Sequence, residues 1–385
     1  MTFKYKVTSN SQLNDNEDFD LNNFDKLFCE NEKKKYRYKE TITFRDKIFW
    51  KKNKSFNNLG TLLFISGPGR QGNHLMIAVM DNAKQIRSNI GEDSFLDNFF
   101  NFAKIDEKKT LSIIKNPKKN IDFILKLSGK KKFNKWKKLW LLWKKQEKPD
   151  TWSGIEGRKH WVTDYKNFLP KINYPAFEKY LNDNSLKIAK CNNFMKIFEI
   201  YLKATNLLFE EDKTFKINFR YTGSGLRREL LYLMNNCKNI QCIVPIRRFE
   251  SFYYTISKSY FGNSKLNQKK LNEAWEHWRH KVLDYLILKK RYPKNFHLVK
   301  FEDLTKKPTT VFNSLIKKLK IKEKSSNFKV SILGESVDGN SSFFKTNKKN
   351  KYRIYKQKYK NNLSEVMLPK EYKKIIRCIN QFSIL

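Results

Sequence analysis

Short unbroken apolar runs, closed by glycine, proline or charge, alternate along the chain with longer stretches of three- and four-residue hydrophobic spacing. The first run, TLLFIS at Thr61–Ser66, lies between Gly60 and Gly67 and predicts a buried strand. From Gly72 to about Arg87 the spacing predicts a helix. From about residue 214 the two patterns alternate. They predict strand KINFRY, a helix over Gly225–Asn236, strand IQCIVPI, a helix near Phe249–Tyr260, a long helix around Lys265–Lys290 and strand FHLVKF. Such alternation means a parallel sheet flanked by helices, an α/β fold of the P-loop mononucleotide-binding type. Ligands of such sheets sit beyond the carboxyl ends of the strands.

Residues 1–55 are polar and aperiodic and read as an irregular lead-in, with an edge strand around Thr41–Phe44. Residues 56–385 read as a single α/β domain carrying a mainly helical insertion over 106–212. Within the insertion, FNKWKKLWLLWKK sets Phe133, Trp136, Trp140 and Trp143 on one helical face. That face either packs on the protein's own core, as a lid or a buried helix, or lies on a membrane surface as a peripheral contact. A Lys-, Asn- and Tyr-rich tail runs from Thr346 to Asn362.

The 31 Phe and eight Trp among 385 residues can fill a core of domain size, which excludes a disordered chain. The formal charge of +42 favours anionic partners, although heavy Lys, Asn, Ile and Phe usage is also what an AT-rich coding sequence would produce. Basic residues are spread along the whole chain and form no nucleic-acid-binding module, so nucleic acid is not the expected partner. Five scattered cysteines at an odd count suggest neither a disulfide framework nor a metal site. With no signal-peptide core and no run of about 20 apolar residues, the expectation is a cytoplasmic protein.

The segment GPGRQGNH, Gly67 to His74, has the spacing of a phosphate-binding loop and lies between a predicted strand and a predicted helix. Glycines let the backbone wrap an anion, and the helix N-terminus adds free N–H groups. Asn73 stands where a triphosphatase has its lysine, and His74 where a magnesium-binding hydroxyl belongs, so phosphoryl transfer with metal is not expected. Arg70, inside the loop, supplies the cation instead.

GPGRQGNHLM resembles the donor loop of the sulfotransferase family, G-x-P-R-S-G-T-T-L-L, at Gly67, Arg70, Gly72 and Leu75. Gly69 replaces the family's proline, Gln71 its serine, and Asn73 and His74 its two threonines. The resemblance implies a 3′-phosphoadenosine 5′-phosphosulfate co-substrate, no metal, and a 5′-phosphate held by Gly67, Gly69, Arg70, Gln71, Gly72, Asn73 and His74. It implies also a 3′-phosphate held by an Arg at a strand end and a hydroxyl eight residues later. Here these are Arg247 and Thr255, with Ser251 the alternative in another register. HLVKFEDLTKKPTTVFNSLIKKLKI resembles the family's strand, F-E-D-L and proline-started helix, with Glu302 and Asp303 bracing the strand end. GNSSFF at Gly339–Phe344 resembles a stretch beside the nucleotide.

Sulfonate transfer needs in-line positioning and a base for the attacking hydroxyl. Gly91-Glu92-Asp93 resembles the G-E-E segment of the tyrosyl-protein branch, which makes Glu92, then Asp93, the candidate bases. His74 and His160 are the alternatives, because imidazole titrates nearest neutral pH. Trp152, Arg158, His160 and Trp161 are the candidates for the acceptor. Aromatic faces and cationic forks suit an anionic polysaccharide or glycolipid. The rival expectations are a catalytically silent nucleotide- or glycan-binding relative and a basic nucleic-acid-binding protein.

Overall fold

Five parallel strands form the centre of the molecule, in the order β3-β4-β2-β5-β6. They are β2 (Thr61–Ile65), β3 (Ile86–Arg87), β4 (Ile217–Tyr221), β5 (Ile240–Ile246) and β6 (Phe296–Lys300). A two-residue strand, β1 (Tyr5–Lys6), pairs elsewhere. The computed structural model describes residues 5–6, 61–67, 69, 71–81, 83, 85–87, 95, 98–99, 107–128, 137, 141, 173–191, 194–208, 217–221, 230, 233–234, 239–260, 268–321, 331–332, 335–336, 366–368 and 370–385.

The predicted α/β architecture is present. Leu62 to Ile65 of β2 and Cys242 to Ile246 of β5 are buried without interruption, as a sheet covered on both faces requires. β2 is the first strand of the sheet in sequence. The chain leaves it to one side for β3 and β4 and returns on the other side for β5 and β6, so the switch point falls between β2 and β5. A crevice at the carboxyl ends is expected there.

The helix after the glycine loop is shorter than its spacing predicts. α1 covers Asn73–Met80, and Ile86–Arg87 is edge strand rather than helix, paired with Ile217 and Asn218. Val79, Met80, Ala83 and Ile86 keep helical spacing, but tight turns carry the chain out of the helix. Ala83 donates its N–H to the Met80 carbonyl at 3.1 Å and Ile86 to that of Ala83 at 2.9 Å. The insertion is helical where it is described: α2 (Glu107–Ile114), α3 (Asn120–Leu127), α4 (Tyr174–Asp183), α5 (Ser185–Ala189) and α6 (Phe194–Leu207). Phe95 and Phe99 pack on α6, with Phe95 stacked 4.2 Å from the Tyr201 ring and Phe99 tilted against Phe194, and so join the insertion to the segment that follows β3. Phe133, Trp136, Trp140 and Trp143 lie outside the described residues. So do the Thr41–Phe44 strand, the tail and most of the Gly225–Asn236 helix.

Beyond β5 the order follows prediction, with α7 (Phe249–Tyr260) and the long α8 (Gln268–Arg291). Two boundaries differ. Phe301 leaves the strand to open a short helix, α9 (Phe301–Lys306), so F-E-D-L is itself a helical turn; Pro308 then starts α10 (Pro308–Lys318) at its first turn, where a missing N–H costs little. Two short strands, β7 (Ser331–Ile332) and β8 (Glu335–Ser336), pair with each other; β9 (Val366–Met367) pairs with β1, so the lead-in contains a strand that its polarity conceals.

The chain ends in α11 (Lys370–Phe382), strongly amphipathic and docked on α8. The buried Arg279 donates through Nε to both carboxylate oxygens of Glu371 at 2.8 Å, and Tyr372 packs on Trp275 and Trp278. Ile384 then donates its N–H to the Leu298 carbonyl at 3.0 Å, so the terminal residues cover the β6 edge of the sheet. Among the described residues no helix is long and apolar enough to cross a membrane.

At the amino end of β6, His297 bonds Gln241 Oε1 at 2.7 Å. Burial, assisted by Lys289 and Lys318, lowers its pKa to about 4. The imidazole is therefore neutral in the fold, and a depressed basic pKa contributes stability above the unfolded value that is lost as pH falls toward the folded one. Between about pH 6.5 and pH 4 the wild type is expected to lose roughly 3 kcal/mol from this group. His297→Phe should remove that part of the slope, as read by urea unfolding across the same pH range.

Candidate functional site

The site lies where β2 and β5 part. By the alternation of the parallel ladder, Ser66 donates its N–H to the Ile243 carbonyl at 3.0 Å, and the next bond would come from residue 245 to the Ser66 carbonyl. Residue 245 is proline and has no N–H to give. The ladder ends there and the chain after Ser66 is released as the glycine loop. Ser66 is fixed from α8 instead, with its Oγ 2.7 Å from Tyr285 Oη.

Gly67 passes so close to Pro245 that a Cβ would stand 2.9 Å from the Pro245 carbonyl oxygen and 2.7 Å from Asn73 Oδ1. Asn73 closes the loop, its Nδ2 donating to the Gly67 carbonyl at 3.1 Å. The amide at the triphosphatase lysine position therefore holds the loop's own backbone. Gly69 occupies a turn. Gly72 precedes α1 at φ 105, a left-handed conformation, and a Cβ there would stand 2.5 Å from Phe301 Cδ2. Having no side chain, Gly72 caps nothing, and the first-turn N–H groups of α1 face the loop.

On the neighbouring strand, Arg247 follows β5 and is fully buried. Its Nη1 donates to Thr255 Oγ1, whose hydroxyl in turn donates to the Ser251 carbonyl at 3.0 Å. The eight-residue spacing thus brings together the pair expected from sequence, and of the two registers it is Thr255 that meets the guanidinium. Ser251, one helical turn earlier, is buried and supports Thr255 through its main chain. The guanidinium carbon lies 3.6 Å from the centre of the Phe301 ring. The main chain of Arg247 is held on both sides: its N–H donates to Gln71 Oε1, and its carbonyl accepts from Trp278 Nε1 at 2.8 Å.

One ring therefore touches both halves of the site. Phe301 lies against Gly72 of the loop and under the guanidinium of Arg247. Neither Phe301 nor Trp278 stands out in the sequence, because Phe301 continues an apolar strand run and Trp278 sits on the core face of a long helix. Glu302 braces the strand end as expected, with Oε1 accepting the Arg248 N–H at 3.1 Å. Burial pushes its carboxyl upward, while that N–H and the Arg247 and Arg248 charges oppose the shift. Asp303 pairs with Lys300 at 3.1 Å, outside this network.

Gln71, Gly72, Asn73, Arg247, Ser251 and Thr255 are thus brought together with Gly67 and Gly69. Arg70, Glu92, Asp93, Trp152, Arg158, His160, Trp161 and Gly339–Phe344 lie outside the described residues. His74 stands in the first turn of α1, and its side chain is also outside them.

No family model matches the chain, and no curated protein matches it. Among solved structures it is similar to the sulfotransferase domain of the Synechococcus PCC 7002 olefin synthase, at 12% identity and a TM-score of 0.47, over 86% of this chain and 98% of that one.

The arrangement sets a buried guanidinium and the N–H groups of a helix N-terminus on neighbouring strand ends, a chemistry suited to anionic groups. Among the described residues no group of three or more His, Cys, Asp and Glu is placed to hold a metal ion. The loop and the Arg247 side are joined by contact, so a side chain at Gly72 should disturb both. Gly72→Ala combines a left-handed backbone with an overlap against Phe301 and should cost about 3 kcal/mol of stability in denaturant unfolding. An unchanged unfolding midpoint would mean that Phe301 is not the tight neighbour described.

Proposed function

We propose that the chain is a sulfotransferase that transfers a sulfonate group from 3′-phosphoadenosine 5′-phosphosulfate to an acceptor hydroxyl. The observation that carries this is the meeting of the glycine loop and the Arg247–Thr255 pair across the β2/β5 switch point. Adjacent strands lie about 4.8 Å apart. Anion pockets on neighbouring strand ends therefore match a nucleotide whose phosphates sit on the 3′ and 5′ carbons of one ribose. A linear triphosphate would instead call for the loop lysine, and Asn73 there is used to close the loop.

In this reading the loop N–H groups, the α1 N-terminus and Arg70 hold the 5′ end and offset the charge left on the phosphate oxygen when its bond to sulfur breaks. Arg247 and Thr255 hold the 3′-phosphate. The acceptor oxygen forms the new bond to sulfur and gives up its proton to Glu92 or Asp93, with His74 and His160 the alternative bases. For the acceptor we carry forward an anionic polysaccharide or glycolipid, on the composition of Trp152, Arg158, His160 and Trp161. Nucleotide binding without transfer is the second reading, favoured by the use of Asn73 for the backbone. Movement of labelled sulfonate from the donor to an acceptor, or to water as free sulfate when none is present, separates the two.

Calorimetry with adenosine 3′,5′-bisphosphate tests the donor site. Wild type should bind without metal. Thr255→Val should bind about tenfold more weakly while leaving adenosine 5′-phosphate unaffected, the loss expected for one hydrogen bond to a charged group. Ser251→Ala should change little. Equal binding of ATP with Mg²⁺, or no binding of the bisphosphate, would sink the proposal.

A further inference from the structure

We infer that Gln71 joins the two phosphate pockets, its amide oxygen positioning Arg247 and its amide nitrogen donating to the phosphate seated on the glycine loop. The inference rests on the nucleotide-binding function proposed above and assigns Gln71 a role of its own within it.

Gln71 is fully buried, and its Oε1 accepts the main-chain N–H of Arg247. That partner can only donate, which fixes the orientation of the amide: oxygen toward β5, nitrogen the other way. The nitrogen is thereby held where the loop meets the end of β5. Among the described residues nothing accepts from Nε2, and it is buried as well. A buried amide donor without an acceptor is costly, and native structures rarely carry one without a reason. An anion at the mouth of the loop supplies the acceptor. The loop that carries Gln71 leads into the N-terminus of α1 through a backbone turn that glycine at position 72 permits, so the buried donor and the helix end belong to the same short stretch of chain.

One side chain doing both tasks ties the two anion sites together. The amide that meets the phosphate on the loop is the amide that fixes the peptide from which the Arg247 side chain departs, so a nucleotide carrying both phosphates meets a preset pair of groups and is favoured over either single phosphate.

The test uses the full chain, adenosine 3′,5′-bisphosphate as probe, calorimetry for affinity and thermal unfolding to confirm folding. Gln71→Met removes both tasks and should weaken binding about tenfold to a hundredfold. Gln71→Glu keeps an acceptor for Arg247 but replaces the donor with a negative charge. It should bind more weakly than Gln71→Met near neutral pH. As pH falls toward about 5.5 it should recover relative to wild type, because a protonated carboxyl offers the same acceptor and donor as the amide. A purely structural pin predicts the reverse order and no recovery on acidification, and that result would overturn the inference. So would wild-type affinity in both variants, which leaves the proposed function standing. Failure of the wild type to bind overturns both together. If Gln71→Glu does not fold, Gln71→Met decides the matter against adenosine 5′-phosphate and adenosine 3′-phosphate separately. Weakening of both supports the bridge, and an effect on one or neither rejects it.

Discussion

A guanidinium withdrawn from water sets the terms for the rest of this structure. Arg247 cannot shed its charge, and taking an ion out of water costs several kcal/mol unless its surroundings compensate. The compensation comes from several elements at once: the Thr255 hydroxyl on α7 and the Phe301 ring at the start of α9 take the head group, while Gln71 of the loop and Trp278 of α8 take the main chain. Each of these elements must sit correctly for Arg247 to be tolerated. Conversely, a charge already stripped of water acts on an anion through a poorly screening medium, where its attraction is far stronger than at a surface. The same desolvation that burdens the fold would thus strengthen the proposed anion site.

Releasing a loop beside such a group requires the sheet to stop at the right residue. Pro245 does this by withholding one donor, so that β2 and β5 separate after Ser66 while β5 and β6 stay paired through Ile246 and Lys300. The released chain has little room. Gly67 has to pass the Pro245 carbonyl, and Gly72 has to pass Phe301 in a left-handed turn. The three features are complementary: the proline releases the loop, and the two glycines let it lie flat against the strand ends.

Much of this was legible in the amino-acid sequence because the central strands are long enough and buried enough to read as apolar runs. TLLFI and IQCIVPI fix both the sheet and the places where their following residues emerge. The Arg247–Thr255 pair was legible through its resemblance to the sulfotransferase strand-end arginine and hydroxyl, and the two meet because a helix begins immediately after the strand, so an eight-residue spacing returns the hydroxyl to the arginine's side. Ile86–Arg87 could not be distinguished from helix, since its apolar neighbours keep helical spacing and only the intervening turns redirect the chain. Phe301 was hidden for a different reason. A ring that serves a charge in three dimensions is, in one dimension, the last apolar residue of a strand. For the proposed acceptor contacts the sequence offers aromatic and cationic composition over 152–161 but no periodicity to place it.

The large net charge plays a different part from Arg247. Lys289 and Lys318, which help depress His297, gather at the amino end of β6, the end of the sheet remote from the glycine loop. Cations placed there and over the helix surfaces create a broad positive field that salt screens beyond about 8–10 Å. Such a field raises the encounter rate with any anion and distinguishes none of them. Discrimination needs groups whose positions are fixed and whose water is already gone, and in this chain those are a buried arginine, a buried amide and a glycine loop. Ionic strength should therefore govern how fast an anionic ligand arrives, and the geometry at the β2/β5 boundary should govern which ligand stays.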